Sequence, residues 1–142
     1  MKKRLFTIVV LLLVASCMAT VLIACAPKSK EDAIKKLETE ELGYVSNSIA
    51  TSAVKIVLDT EFDGIDEVYL AATKDAKNSI IAIWFKTTAD AKACLKELEE
   101  KADEYSSYLK GVDLEEGSKP VVKRSGKLVY IGTEKAAKDF AK

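Results

Sequence analysis

Residues 79–85 read SIIAIWF, with no charged side chain among them. In an extended chain, Ile81, Ile83 and Phe85 fall on one side, and Ile80, Ala82 and Trp84 fall on the other. A strand that is apolar on both sides belongs in the interior of a sheet. The residues around it set out the rest of the plan. Residues 66–73, DEVYLAAT, form a second β-rich run, joined to the first through KDAKN as a hairpin with a five-residue loop. Thr87 follows, with Asp90 three residues later, the spacing of a capping box that opens a helix. Ala91, Cys94, Leu95, Leu98, Ala102, Tyr105 and Leu109 then trace one apolar face through about five turns. Gly111 ends that helix.

Residues 120–142 repeat the scheme in shorter form. Two β-rich runs, 120–124 and 127–131, flank Ser125-Gly126, a two-residue hairpin loop. Thr133 then opens a short helix bearing Ala136, Ala137 and Phe140. Both units read strand, strand, threonine, helix. Either an internal ββα repeat or independent use of a good N-cap residue accounts for the likeness. Upstream, Ser29 and Asp32 open an amphipathic helix over 28–42 that ends at Gly43. Residues 44–50 suit a strand, and 52–58 lean towards a helix. The expected fold is α+β, a two-layer sandwich. An antiparallel sheet of four to five strands packs helices on one face, with the side of Ile81, Ile83 and Phe85 against the long helix.

Residues 5–26 carry no charge and follow Met1-Lys2-Lys3-Arg4. A basic start and an apolar run read as a leader whose positive flank stays cytoplasmic while the rest is exported. The run closes on Leu22-Ile23-Ala24-Cys25, and APKSKED follows at once. These four residues resemble the lipobox of bacterial lipoproteins. The resemblance implies a diacylglyceryl thioether on Cys25 and cleavage just before it. Two acyl chains anchor stably where one binds only marginally. Val14-Ala15-Ser16-Cys17 fits the same pattern. Cleavage there would leave the apolar stub MATVLIAC beside the lipid, so Cys25 is preferred over Cys17. An uncleaved anchor is the main alternative, because a run of 22 uncharged, mostly apolar residues suffices to span a bilayer. The expected organisation is a signal peptide over 1–24, a lipidated cysteine and polar tether over 25–30, and one domain over 31–142. The mature chain as a whole resembles small lipoproteins of bacteria with a single membrane, a resemblance that implies no particular activity.

Charge and composition narrow the chemistry. Removing Lys2, Lys3 and Arg4 leaves 19 basic residues against 22 acidic ones, a net charge near −3. With no basic stripe on such a domain, no nucleic-acid partner is expected. There is no histidine, so imidazole catalysis and His-ligated metals are excluded. Two of the three cysteines lie in the leader, and Cys94 is left without a partner for an intradomain disulfide.

Four local patterns invite a functional reading. Ser52-Ala53-Val54-Lys55 has the S-x-x-K spacing of serine acyl-enzymes, but the partner motifs S-D-N and K-T-G are absent. Asp59-Thr60-Glu61-Phe62-Asp63-Gly64 opens like a calcium loop, yet Leu70 stands where the bidentate glutamate should be, so a solvated acidic turn is expected and no metal. Cys94 sits in the middle of an apolar helix face and reads as a small buried hydrophobe. Tyr69, Trp84 and Tyr130 share a parity that puts them on the sheet face away from the long helix. They form either an exposed aromatic binding face or a core covered by the N-terminal helix or by 52–58.

The expectation is a lipid-anchored extracytoplasmic binding or interaction module without catalysis or cofactor. It would sit on the outer side of a bacterial cell membrane and engage a protein, an envelope component or a small ligand. Two alternatives stand beside it: an uncleaved single-pass accessory subunit of a membrane complex, and an enzyme using carboxylates or Cys94.

Overall fold

The computed structural model describes residues 26–47, 51–58, 60–101 and 120–142. In chain order the elements are α1 (Lys30–Leu37), β1 (Tyr44–Asn47), α2 (Ala53–Leu58), β2 (Ile65–Thr73), β3 (Ser79–Phe85), α3 (Thr88–Glu100), β4 (Val121–Ser125), β5 (Leu128–Gly132) and α4 (Glu134–Ala141). The strands form one antiparallel sheet in the order β1-β2-β3-β5-β4. Its α+β class and antiparallel five-stranded sheet are those expected.

β3 is the central strand, and all seven of its residues are buried. Its two apolar sides need two covers, and the four helices divide between them. On one side Val68, Ile81, Ile83, Phe85, Val129 and Ile131 pack under α2 and α3. On the other, Tyr44, Tyr69, Trp84 and Tyr130 pack under α1 and α4. The helices were expected on one face; they lie on both, in three layers. The physical reason is β3 itself, because leaving one of its sides wet would forgo roughly 1.5–3 kcal/mol for each large side chain.

The two ββα units differ in how the helix leaves the sheet. Two residues, Lys86 and Thr87, separate β3 from α3, whereas Thr133 alone separates β5 from α4. Phe85 ends its strand on the aliphatic side and α3 turns that way. Gly132 ends its strand on the aromatic side and α4 follows. Side chains alternate along a strand, so the parity of the last strand residue goes with the side that receives the helix. With helices on opposite faces, a two-fold axis through the sheet does not superpose the units.

Local chemistry sets the boundaries. Ser29 Oγ accepts from Asp32 N at 3.2 Å. Thr87 Oγ1 accepts from Asp90 N at 3.1 Å and donates to the Asp90 carboxylate at 2.7 Å. Helix α1 stops at Leu37 rather than 42, and a turn leads to Gly43, whose φ of 69° is the left-handed conformation that favours glycine. Gly64 also has a positive φ, and a Cβ there would collide with the Asp90 carboxylate. The long helix is described to Glu100; Ala102, Tyr105, Leu109 and Gly111 lie outside the described residues.

The domain begins earlier than expected. Ala26 is partly buried and packs against the aromatic core, and Pro27 is buried. Trp84 Nε1 donates to the Pro27 carbonyl at 3.2 Å, and Lys30 N donates to Glu67 Oε2 at 3.0 Å. Residues 26–30 are therefore part of the folded body, not a free polar tether. An indole N–H buried in a core needs an acceptor, and this stretch of chain supplies it.

Candidate binding cleft

The aromatic residues singled out from the sequence do not form an open surface. Tyr69 is 0% exposed, Trp84 6% and Tyr130 4%. Of the two readings, the exposed binding face does not hold and the covered core does, with α1 and α4 as the cover. Phe140 of α4 stacks at a tilt on Tyr130, with ring centroids 4.9 Å apart, and lies 6.5 Å from Trp84. Small residues let the covering helices sit close, Ala33 from α1 and Ala136 and Ala137 from α4. Cys94 is fully buried, and burial followed by the nearby Glu97 charge pushes its thiol up to about 12. A catalytic thiol needs the opposite shift.

Two other sequence patterns meet in space. Ser52 and Lys55 share a shallow pocket of about 430 Å³ with Glu61, Phe62 and Asp63. Lys55 donates to Glu61, so the ammonium is tied to a carboxylate instead of being turned to the Ser52 hydroxyl. Asp59 lies outside the described residues, and among those described no cluster of three His, Cys, Asp or Glu side chains could hold a metal. No described helix is long and apolar enough to cross a membrane. Cys17 and Cys25 lie outside the described residues.

A larger cleft of about 690 Å³ opens where α1 turns into β1. The loop between β2 and β3 forms its other wall, and Lys135 of α4 closes one corner. Its charges are mixed: Glu38, Glu40 and Asp75 face Lys74 and Lys135. The floor is Tyr44, held by Asp139. The Tyr44 hydroxyl donates to Asp139 Oδ2 at 3.0 Å, and Lys135 Nζ donates to the same oxygen at 2.8 Å. Lys142 Nζ reaches Oδ1 at 3.5 Å. Burial alone would raise the Asp139 carboxyl. Donors from Lys135, Tyr44 and Lys142 outweigh it and hold the group below the usual carboxylate value. Burial and then the Asp139 carboxylate push the Tyr44 phenol upward.

The other rim is pinned similarly. Tyr69 donates to Glu38 Oε1 at 3.2 Å, and its phenol is raised by burial and then by the Glu38 charge. Thr73 Oγ1 donates to Asp75 Oδ1 at 2.6 Å, and Lys77 N donates to the same oxygen at 3.1 Å, which lowers the Asp75 carboxyl. The cleft is thus a concavity with charged rims and walls that are already hydrogen-bonded. Its volume is within the range of ligand sites, but its lining is more charged than is usual for an enclosed small-molecule pocket.

Sequence reasoning missed this site. Tyr44 and Asp139 are 95 residues apart, and no local spacing joins them. One signal was present. Asp139 lies on the same helix stripe as Ala136 and Phe140, and an acid on a buried stripe needs partners.

No protein-family model, no curated protein and no solved structure matches the chain. Its class is therefore given by its own geometry: a three-layer antiparallel α+β domain with a mixed-charge cleft at one end of the sheet.

Proposed function

We propose that the protein is a lipid-anchored extracytoplasmic binding module. The diacylglyceryl group sits on Cys25, and the mixed-charge cleft at the far end of the sheet takes a polar segment of a protein or another envelope component. The observation that carries this reading is the pairing of the Leu22-Ile23-Ala24-Cys25 motif with a body that begins one residue later. Trp84 fixes Pro27 at the β3 end of Trp84 and Phe85. The cleft lies at the other end, beside Thr73. From Glu67, opposite Trp84, to Thr73 is six strand steps, or about 20 Å. An anchor at one end and a concavity at the other suit a module that holds its binding site away from the bilayer. The cleft offers charged rims and no buried nucleophile, which fits recognition better than catalysis.

Mass spectrometry of the N-terminal peptide from the native cell tests the anchor. The expected mass is that of a chain starting at Cys25 with a diacylglyceryl group, and globomycin should cause unprocessed precursor to accumulate. A peptide retaining residues 1–24 with an unmodified Cys25 would instead establish the uncleaved single-pass form, and acylation at Cys17 would move the cut. A photo-crosslinker at Thr39 on the cleft rim tests the binding role. It should give discrete adducts in intact membranes that Lys135→Glu abolishes, while the same group at Lys96 on α3 should not.

A further inference from the structure

We propose that the β4–β5 hairpin is a membrane-facing surface that rests on anionic lipid headgroups. This deepens the preceding reading and rests on its anchor at Cys25. Because Ala26 and Pro27 are packed into the body, the acylated residue has no slack. Cys25 is two Cα steps from Pro27, at most about 7.6 Å. Pro27 is hydrogen-bonded to Trp84, Trp84 pairs with Leu128, and Leu128 pairs with Ser125 at the hairpin turn. By that path the hairpin tip is within about 30 Å of the Cys25 α-carbon, on the same end of the sheet.

The hairpin has the charge for the role. Lys123, Arg124 and Lys127 fall within five residues, and residues 117–133 hold no acid, in a domain whose net charge is near −3. Lys123 and Lys127 are exposed. Arg124 Nη1 donates to the Gly126 carbonyl at 2.8 Å and stiffens the turn. Lys28, next to the anchor, is exposed too. Clusters of basic residues beside a lipid anchor gain affinity from anionic headgroups and lose it in salt. The acids of this end are Asp63, Asp66 and Glu67 at the start of β2, two strands away from β5 across β3, and Asp90 in the first turn of α3, whose carboxylate lies against Gly64 just ahead of β2. The end is therefore basic on the hairpin side and acidic on the β2 side, so the body should tilt with the hairpin towards the bilayer.

The test uses the acylated mature chain, its lipid verified by mass, in vesicles of phosphatidylglycerol and phosphatidylcholine. Ser125→Cys carries an environment-sensitive fluorophore, since buried Cys94 resists labelling; Lys77→Cys at the opposite end is the control. A headgroup-level quencher should quench position 125 at least about threefold more than position 77. That ratio should fall towards one in pure phosphatidylcholine, in high salt, and in Lys123→Gln/Arg124→Gln/Lys127→Gln. Lys123→Gln/Lys127→Gln, which keeps Arg124 on its turn, should lose most of the effect with unchanged near-UV circular dichroism. Equal quenching at both positions on a verified acylated chain overturns the surface alone. A chain with no acyl group overturns the anchor, and this surface with it.

Discussion

The two faces of the sheet solve the same burial problem by different means. Among the described residues, the side under α2 and α3 is almost wholly aliphatic: Val68, Ile81, Ile83, Val129 and Ile131, with Phe85 as the one buried ring. Close packing holds it, and no residue there needs a particular partner. The side under α1 and α4 is built from rings with polar handles. Tyr44 is tied to Asp139, Tyr69 to Glu38 and Trp84 to Pro27. Each tie reaches a covering element or the N-terminal stretch, so the aromatic face couples the core to both proposed sites. An aliphatic face stabilises a fold. A face of tethered rings also fixes where the chain enters and where the cleft opens.

The largest expected effects come from emptying either face. Phe85→Ala and Trp84→Ala should each cost about 3–5 kcal/mol in urea denaturation. They should differ in what else is lost. Trp84→Ala also frees Ala26 and Pro27, so limited proteolysis near residue 27 should accelerate in that variant and not in Phe85→Ala. Trp84→Phe, which keeps most of the volume, should cost less and still loosen the N-terminal stretch. Equal proteolysis in all three would break the comparison.

Next come the polar ties. Asp139 is buried and receives three donors, so Asp139→Asn should cost about 1.5–3 kcal/mol. Tyr44→Phe, which removes one of those donors, should cost about 1 kcal/mol. Neither has an equivalent on the aliphatic face, where Ile83→Val removes only a methylene at about 0.5–1.5 kcal/mol. If Asp139→Asn proves milder than Ile83→Val, the tether is ornamental.

Stability against pH separates the faces further. The Asp139 carboxyl is held low, so its contribution is present above the unfolded value of about 3.9 and is lost as pH falls through the folded value. Tyr44 and Tyr69 are raised, so theirs is intact below about pH 10 and lost as pH climbs. Among the described buried residues of the aliphatic face, one group titrates. Cys94 is raised to about 12, so its share is lost above the unfolded thiol value of about 8.5. In Cys94→Ala the alkaline loss should begin later, near pH 10, and in Asp139→Asn the acid limb should flatten. Denaturation midpoints from pH 2 to 11 would read both.

Legibility in the sequence followed the same division. The aliphatic face was written in local patterns: the doubly apolar β3, the Thr87 capping box and the spacing of Ala91, Cys94 and Leu98. The aromatic face was legible only in part: the shared parity of Tyr69, Trp84 and Tyr130 could be read, but not whether they are covered, because the covers are short helices that contribute alanines, and alanine is a weak hydrophobic signal. Ala33 with Leu37, and Ala136 with Ala137, mark the inner sides of two helices but do not say which face of the sheet lies beneath them. The cleft was illegible for a second reason. Its floor joins Tyr44 to Asp139, and a pairing over that separation is a property of topology alone. The hairpin at Ser125-Gly126 was plain, but its nearness to Cys25 depended on one indole finding one carbonyl.

The smallest expected effect bears on the cleft end of the sheet. Ser79 opens β3 and is buried, and its Oγ finds no hydrogen-bond partner among the described residues. Its backbone carbonyl is engaged, accepting from Thr133 N at 3.0 Å. A buried hydroxyl left unpaired costs its desolvation, so Ser79→Ala should leave stability unchanged or raise it by up to about 1 kcal/mol. Thr133→Val nearby removes a made bond, from Thr133 Oγ1 to Asn78 Oδ1 at 3.2 Å, and should cost about 1 kcal/mol. The pair therefore differs in sign although both delete a hydroxyl from the same end of the sheet. Thermal melts of the two variants would read that sign. A loss in Ser79→Ala matching that in Thr133→Val would mean that the serine has a partner, and that the polar network under the cleft extends from Tyr44 and Asp139 into the central strand.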